Sequence, residues 1–381
     1  MRNTSGLSQP CCVSGGKPEG RGGKEMTAKK MVRNIEPDDP MLQYSGRIDD
    51  DDPKAPVLIY AASWVKMIFT GTSVAVTLAN HHAYWTNEMG YFLDGVQGRI
   101  RLLDDGKKKT YEIAGQLPDA RHELMLFKRM DACHTVTFYG FTVDGGADLL
   151  PPEPKPARRM EVFGDSVSCG EVSEAVDYVG KEDPVHDGQY SNSWYSYAWM
   201  TARKLGAELH DTSQGGIALL DGTGWFGAPA YYGMESCYDK LAYNPDLGAV
   251  KQWDFPRYTP QVVVAAIGQN DNHPVDYMAA DPEGSAAEHW RKRYREFIET
   301  LMKCYPKAQI ILATTILKHH PNWDAAIETV CGQIASERVH HFLYRRNGSG
   351  TPGHIRIPEA EEMSEELASY IRSLGDEIWD A

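Results

Sequence analysis

Between residues 43 and 143 the apolar side chains fall in short runs of β-branched and aromatic residues, at 57–62, 64–70, 73–78, 91–93, 100–103, 110–113, 122–128 and 135–142, with turn residues between them. Short runs recurring at near-regular spacing are what a pleated, half-buried surface selects, so they predict an antiparallel β-sandwich of jelly-roll type. Asp94-Gly95, Asp105-Gly106 and Asp144-Gly145 supply residues that tolerate the positive backbone angles of tight hairpins. The predicted sandwich covers 35–150, and no group in it is read as catalytic.

The stretch Leu149-Leu150-Pro151-Pro152-Glu153-Pro154-Lys155-Pro156 lacks the backbone donors that a sheet needs. It predicts a stiff linker over 151–157. Beyond it strands alternate with helices: apolar runs at 160–163, 208–211, 262–267, 310–314 and 339–342 are separated by helical periodicity at 191–205, 286–304, 323–338 and 358–374. That rhythm predicts a parallel sheet with helices on both faces, a three-layer domain over 158–381. Residues 1–34 are rich in Gly, Ser and Lys and show neither period, which predicts a disordered leader; Met26 and Met31, just ahead of the foldable sequence, are candidate starts of translation.

Composition narrows the partners. The net charge of -14 over 381 residues opposes binding to nucleic acid or to an anionic membrane, since both surfaces would repel the chain. No run reaches the roughly 18 apolar residues of a membrane span, and the start lacks the apolar middle of a secretory signal. Seven cysteines with no CxxC pair indicate neither a disulfide framework nor a zinc knuckle, and point to a reducing, cytoplasmic setting. A neutral substrate fits this balance, and nine Trp with twenty Tyr suit sugar faces as well as core packing.

Four stretches of the second domain carry candidate chemistry. Gly164-Asp165-Ser166 turns over the first strand and sets a hydroxyl where open α/β sheets bind their ligands. Gly215-Gly216 follows the second strand, offering exposed backbone N–H groups. Gly268-Gln269-Asn270-Asp271 follows the third strand, and an asparagine amide is a neutral donor suited to an oxyanion. A loop at 350–358 presents His354 ahead of the last helix. Acyl transfer requires a nucleophile, a base and at least two donors for a tetrahedral oxyanion, and these blocks hold one of each kind.

Their order resembles the blocks of the SGNH hydrolases. Within that superfamily the chain is most similar to carbohydrate esterase family 2, over roughly 35–374, including Phe69-Thr70-Gly71-Thr72-Ser73 and Gly353-His354-Ile355-Arg356-Ile357-Pro358-Glu359-Ala360-Glu361-Glu362-Met363. The resemblance implies a flavodoxin-like SGNH domain behind a β-sandwich, and removal of acetyl groups from plant xylan, mannan or glucan oligosaccharides without a cofactor. It also implies roles: Ser166 as nucleophile and as one backbone oxyanion donor, Gly216 as the second with Gly215 its rival, Asn270 as the side-chain donor, and His354 as base. Many relatives carry an aspartate three residues before the histidine, where this chain has Thr351. The resemblance therefore implies a Ser-His dyad oriented by a backbone carbonyl, with an acid from elsewhere in the chain left open. Ile355 stands where proline is common.

Other signals carry less. Gly222-Thr223-Gly224-Trp225-Phe226-Gly227 spells GxGxxG, but Pro229 interrupts the helix that a dinucleotide would need, so a pocket-edge loop is read instead. Trp225 and Tyr190 are candidate sugar-stacking residues, while Trp194 is assigned to packing. The pairs His81-His82, His319-His320 and His340-His341 point to opposite faces when extended and form poor chelates, so no metal is assigned. His273 is the rival base. The run of acids at 49–52 is a solvated turn. Two rival functions remain: a lipase-like or thioester hydrolase of the same superfamily, and a non-catalytic carbohydrate-binding protein.

Overall fold

The structure is a computed structural model and describes residues 31–380. The predicted leader falls outside the described residues up to residue 30. At its end the prediction fails: Val32–Ile35 is a strand, paired antiparallel with His134–Asp144. Four extended residues suffice when a long partner strand supplies all their hydrogen bonds, a condition that local sequence does not encode.

The first half forms two six-stranded sheets in which every pairing is antiparallel. Val65, Met67, Phe69, Leu124 and Leu126 from one sheet meet Val76, Leu78, Val136, Phe138 and Phe141 from the other in a buried core. The hairpin from Glu88–Leu93 to Val96–Arg101 turns on Asp94 and Gly95, with φ of 53° and 79°, the conformation that a tight hairpin demands.

The second half is built on five parallel strands, β1 (Arg158–Gly164), β2 (Ala207–Ser213), β3 (Val262–Ala266), β4 (Gln309–Ala313) and β5 (Val339–His341), in the spatial order β2-β1-β3-β4-β5. Alternate residues go to opposite faces. Phe163, Val263, Ala265, Ile310 and Leu312 pack with Trp290, Phe297, Leu301, Trp323 and Ile327, whereas Met160, Val162, Leu209, Val264 and Ile311 pack with Tyr197, Ala198, Met363, Leu367 and Ile371. The helices concerned are α1 (Ser166–Cys169), which follows β1 directly, then α2 (Tyr197–Leu205), α3 (Ser285–Cys304), α4 (Asn322–Ile334) and α5 (Ile357–Ser373). α2 and α5 cover one face and α3 and α4 the other, giving three layers. The strand order reverses between β1 and β3, and a crevice opens there beyond the carboxyl ends of the strands.

One predicted helix, 191–205, is broken in two. Ser196 has extended backbone (ψ 147°) and its Oγ accepts a hydrogen bond from Trp199 N at 3.1 Å, so it caps α2 instead of continuing the turn before it. The helix expected over 323–338 stops at Ile334, where Ala335 takes a φ of 48°.

The two halves are locked by Arg47. Its side chain has no solvent exposure; Nε and Nη2 lie 3.1 and 2.9 Å from Glu161 Oε1, and Nη1 donates to the carbonyls of Tyr238 and Lys240 at 2.7 and 2.9 Å. Tyr60, Phe163, Trp253 and Phe255 surround the guanidinium at 5.1–5.8 Å. Glu161 lies in β1, so a residue of the first half grips the strand of the second half that leads to Ser166. Truncating one partner strands a buried charge, so Arg47→Ala should lower the free energy of unfolding by about 3–5 kcal/mol in a denaturant titration, against less than ~1 kcal/mol for Lys292→Ala in an exposed pair.

Candidate active site

Ser166 begins α1, immediately beyond β1. Asp165 caps that helix: its Oδ1 accepts from Val167 N at 3.0 Å, and its Oδ2 from Gln269 Nε2 at 2.7 Å and Asn270 Nδ2 at 3.3 Å. Burial pushes the Asp165 carboxyl up to about 6, against the pull of those donors. Gly164 is required by close packing, because a Cβ there would meet Ser168 Oγ at 2.2 Å. The Ser166 N–H stands at the first helical position, where no intrahelical carbonyl faces it.

His354 comes from the loop before α5. Its Nε2 lies 2.9 Å from Ser166 Oγ, and its Nδ1 lies 2.6 Å from Asp183 Oδ2. A carboxylate only accepts, so Nδ1 donates and the neutral ring is left with an acceptor at Nε2, facing the hydroxyl. Asp183 Oδ1 also accepts from His354 N at 2.9 Å and pairs with Arg356 Nη2 at 2.8 Å. The orienting group is thus a carboxylate 171 residues from the histidine, and the backbone-carbonyl expectation is corrected. Thr351, at the position where relatives carry the aspartate, is buried with its Oγ1 unpartnered.

Electrostatics follow this geometry. Burial works to lower the His354 pKa, but the charge of Glu171 and the hydrogen bond and charge of Asp183 outweigh it and raise the imidazole to about 9. Asp183 is held down at about 2 in spite of its own burial, by the hydrogen bond and charge of His354. Burial raises Glu171, whose Oε1 is 3.9 Å from His354 Nε2, to about 7.

The remaining groups surround a cavity of about 550 Å³ that contains Ser166, His354, Gly216, Asn270, Glu171 and Trp225. Gly215 N donates to Asp131 Oδ2 at 2.6 Å and is committed. Gly216 N has no hydrogen-bond partner among the described residues; with a φ of 71°, Gly216 bends the chain at the cavity wall. Asn270 Nδ2 donates to Ile217 O at 3.0 Å and, over a longer 3.3 Å, to Asp165 Oδ2. Trp225 is 60% exposed and stacks on His273 at 3.5 Å, a ring platform at the cavity edge. His273 Nδ1 binds Gly224 O at 2.7 Å, so this histidine serves the loop rather than Ser166.

The reading of Tyr190 changes, that of Trp194 holds, and the first half adds wall residues of its own. Tyr190 does not line the cavity: its segment is pinned to the loop after α1, with Glu174 N donating to Tyr190 O at 2.9 Å and Asn192 N to Gly170 O at 3.0 Å. Trp194 packs on Phe92 and Trp199 and under the Arg203 guanidinium at 3.7 Å. The sandwich contributes Tyr84, Trp85 and Asp131 to the cavity wall, which no strand-spacing pattern discloses. Among the described residues no group of three or more His, Cys, Asp or Glu could hold a metal ion.

The family described as carbohydrate esterase 2 N-terminal matches residues 44–153. Cellulase/esterase CelE of Acetivibrio thermocellus is 32% identical over 347 residues, covering 88% of this chain and 40% of that protein. Acetylxylan esterase / glucomannan deacetylase of Cellvibrio japonicus is 25% identical over 351 residues, covering 91% of this chain and 92% of that protein. A solved family two carbohydrate esterase from Clostridium thermocellum, in complex with cellohexaose, superposes with a TM-score of 0.72 at 25% identity, covering 87% and 98% of the two chains. Along most of its length the chain is similar to carbohydrate esterase family 2 proteins. It spans two fifths of the length of CelE, and nearly all of the Cellvibrio relative.

The histidine–carboxylate pair sets a pH window for stability. A raised His354 stabilises fully below its ordinary 6.5, and that contribution is lost as pH climbs through about 9. A depressed Asp183 stabilises above its ordinary 3.8, and that contribution is lost as pH falls through about 2. Both are complete between 3.8 and 6.5. Asp183→Asn should therefore cost most melting temperature in that window and progressively less toward pH 9, while NMR titration finds the His354 pKa lowered.

Proposed function

We propose that this chain is a carbohydrate acetylesterase that removes O-acetyl groups from plant-derived xylan, mannan or glucan oligosaccharides through an acetyl-serine intermediate. The observation that carries the reading is the unbroken line from Asp183 Oδ2 through His354 to Ser166 Oγ, with contacts of 2.6 and 2.9 Å, beside a cavity that also holds Gly216 and Asn270. The names of the relatives, and the cellohexaose bound by one solved family member, support a sugar ester as substrate.

Ser166 Oγ attacks the acetyl carbonyl carbon while His354 Nε2 takes its proton. Charge on the tetrahedral oxygen is met by the N–H groups of Ser166 and Gly216 and by the Asn270 amide. Asp183 stabilises the imidazolium that forms. As the C–O bond to the sugar breaks, Nε2 returns the proton to the departing oxygen, leaving acetyl on Ser166. Water then gives a proton to Nε2 and attacks the acetyl carbon; the bond to Ser166 Oγ breaks as Nε2 passes that proton to it, and acetate leaves. Trp225 offers a ring face to the sugar. A reducing, cytoplasmic setting is part of the proposal and fits the five free thiols among the described residues.

Ser166→Ala should abolish acetate release from acetylated xylo-, manno- and gluco-oligosaccharides, and retained release would place the nucleophile elsewhere. Asn270→Ala should lower kcat by about 10²–10³, and Asp183→Asn by about 10²–10⁴. Acyl esters of rising chain length should show a sharp optimum at acetyl; a preference for long chains would favour a lipase-like enzyme.

A further inference from the structure

A second cavity, of about 510 Å³, lies at the opposite end of the parallel sheet from Ser166. Parts of residues 37–56 from the first half line it, together with the linker at 155–157, Arg159 of β1, Glu208 and His210 of β2, and the segment from Trp253 to Tyr258. Arg159 stands near the start of β1 and Ser166 just past its end, so a whole strand, roughly 20 Å of extended chain, separates this cavity from the catalytic one. Its volume is close to the space of about 550 Å³ around Ser166 and falls in the range of small-molecule sites.

The charged groups on its wall are not equally engaged. Asp38 pairs with Lys54 at 2.6 Å, Asp50 with Arg257 at 2.9 Å, and Glu208 with Lys155 at 2.6 Å while also accepting from Ser45 Oγ at 2.7 Å. Arg159 has no carboxylate partner among the described residues. Its guanidinium makes one long contact, 3.5 Å to Thr259 Oγ1, and lies 5.9 Å from the centre of the Tyr258 ring. The uncommitted charge of this wall is therefore positive.

An uncommitted imidazole accompanies it. Arg159 and Glu161 are the register partners of Glu208 and His210, so all four side chains leave the same face of two neighbouring strands. His210 is 4% exposed and stacks on Tyr258 at 3.4 Å, yet neither of its ring nitrogens has a hydrogen-bond partner among the described residues. Burial, reinforced by the charges of Arg47, Lys155, Arg257 and Arg159, pushes this histidine far below its usual range and keeps it neutral. Polar atoms left unpaired away from water are costly. A hydroxyl relieves that cost at Nε2 in either tautomer, since it both donates and accepts.

We infer that this cavity is a binding site for a sugar acid, a pyranose-sized ring whose carboxylate meets Arg159 and whose hydroxyl meets His210. One uncommitted guanidinium calls for one negative charge, in the planar fork that a carboxylate matches. The three carboxylates already paired on the wall disfavour the second charge of a phosphate monoester. Acetate alone would leave most of the volume unfilled, because a water-sized group takes up only about 30 Å³. This site goes beyond the acetylesterase reading and does not depend on it.

Calorimetric titration of the full chain with glucuronate, methyl glucoside, acetate and a glucose phosphate monoester tests the assignment. Glucuronate should bind at least about 10-fold tighter than methyl glucoside or acetate, and tighter than the phosphate. Arg159→Gln, a change at an exposed position, should bring glucuronate to within about 2-fold of methyl glucoside. Arg159→Lys, which keeps the charge without the fork, should fall between and carries the test if the Gln variant proves unfolded in a melting curve. Imidazole NMR spectra locate the ligand: the His210 signals, assigned by their loss in His210→Gln, should move with glucuronate in the wild type and stay still in Arg159→Gln. Absence of glucuronate binding, equal affinity for any of the other three ligands, a preference that survives loss of the Arg159 guanidinium, or shifts confined to His354 would each overturn the inference.

Discussion

The whole site depends on one imidazole having oxygen at both of its nitrogens. A neutral histidine has one donor and one acceptor, and it acts as a base toward a hydroxyl only when the acceptor is turned to that hydroxyl. Asp183 fixes that choice through two contacts to a single residue, at 2.6 Å to the ring and 2.9 Å to the backbone N–H of His354. Arg356, fully buried, holds the carboxylate from its other side at 2.8 Å. Ring, carboxylate and guanidinium thus constrain one another, and Ser166, 188 residues away in the chain, meets a base whose orientation is already set.

The second constraint runs through the sandwich. Lys128 is buried, and its ammonium donates to the carbonyls of Met130 and Asp131, winding the loop that follows its strand into a tight bend. Burial lowers this lysine to about 8, so the carbonyls are what keep a charge there tolerable. The bend aims Asp131 at Gly215, whose N–H it occupies, and the next N–H along the chain, that of Gly216, is left without a partner. The selection between two adjacent glycines is therefore made by the neighbouring domain. Arg47, buried against Glu161 of β1, ties the half that carries this loop to the sheet that carries Ser166.

Groups placed by local chemistry were legible in the sequence. Gly164-Asp165-Ser166 and Gly268-Gln269-Asn270 sit at strand ends because apolar runs and turn residues mark those ends, and flanking the reversal of strand order brings the two together. Asp183 was not legible, since it lies in a stretch with neither helical nor strand period, and no spacing rule joins it to residue 354. Tyr190 was misjudged for a related reason: an aromatic ring in a stretch with neither period gives no sign of which way its loop folds back. The strand at residues 32–35 was hidden as well, because its hydrogen bonds are all supplied from a partner a hundred residues later.

Three acids around one imidazole divide their work by environment. Asp183, paired with both His354 and Arg356, stays ionised, while burial raises Asp165 to about 6 and Glu171 to about 7. An imidazole at about 9 leaves roughly one ring in a hundred neutral at pH 7, which slows a base unless the upward push relaxes. Glu171 supplies the largest part of that push. When Glu171 takes up a proton, His354 is released toward its neutral form, whereas Asp183 remains to stabilise an imidazolium. The two acids that flank the ring thus differ in effect: ionised Asp183 stabilises the imidazolium, and Glu171 sets how readily the ring gives up the proton it has.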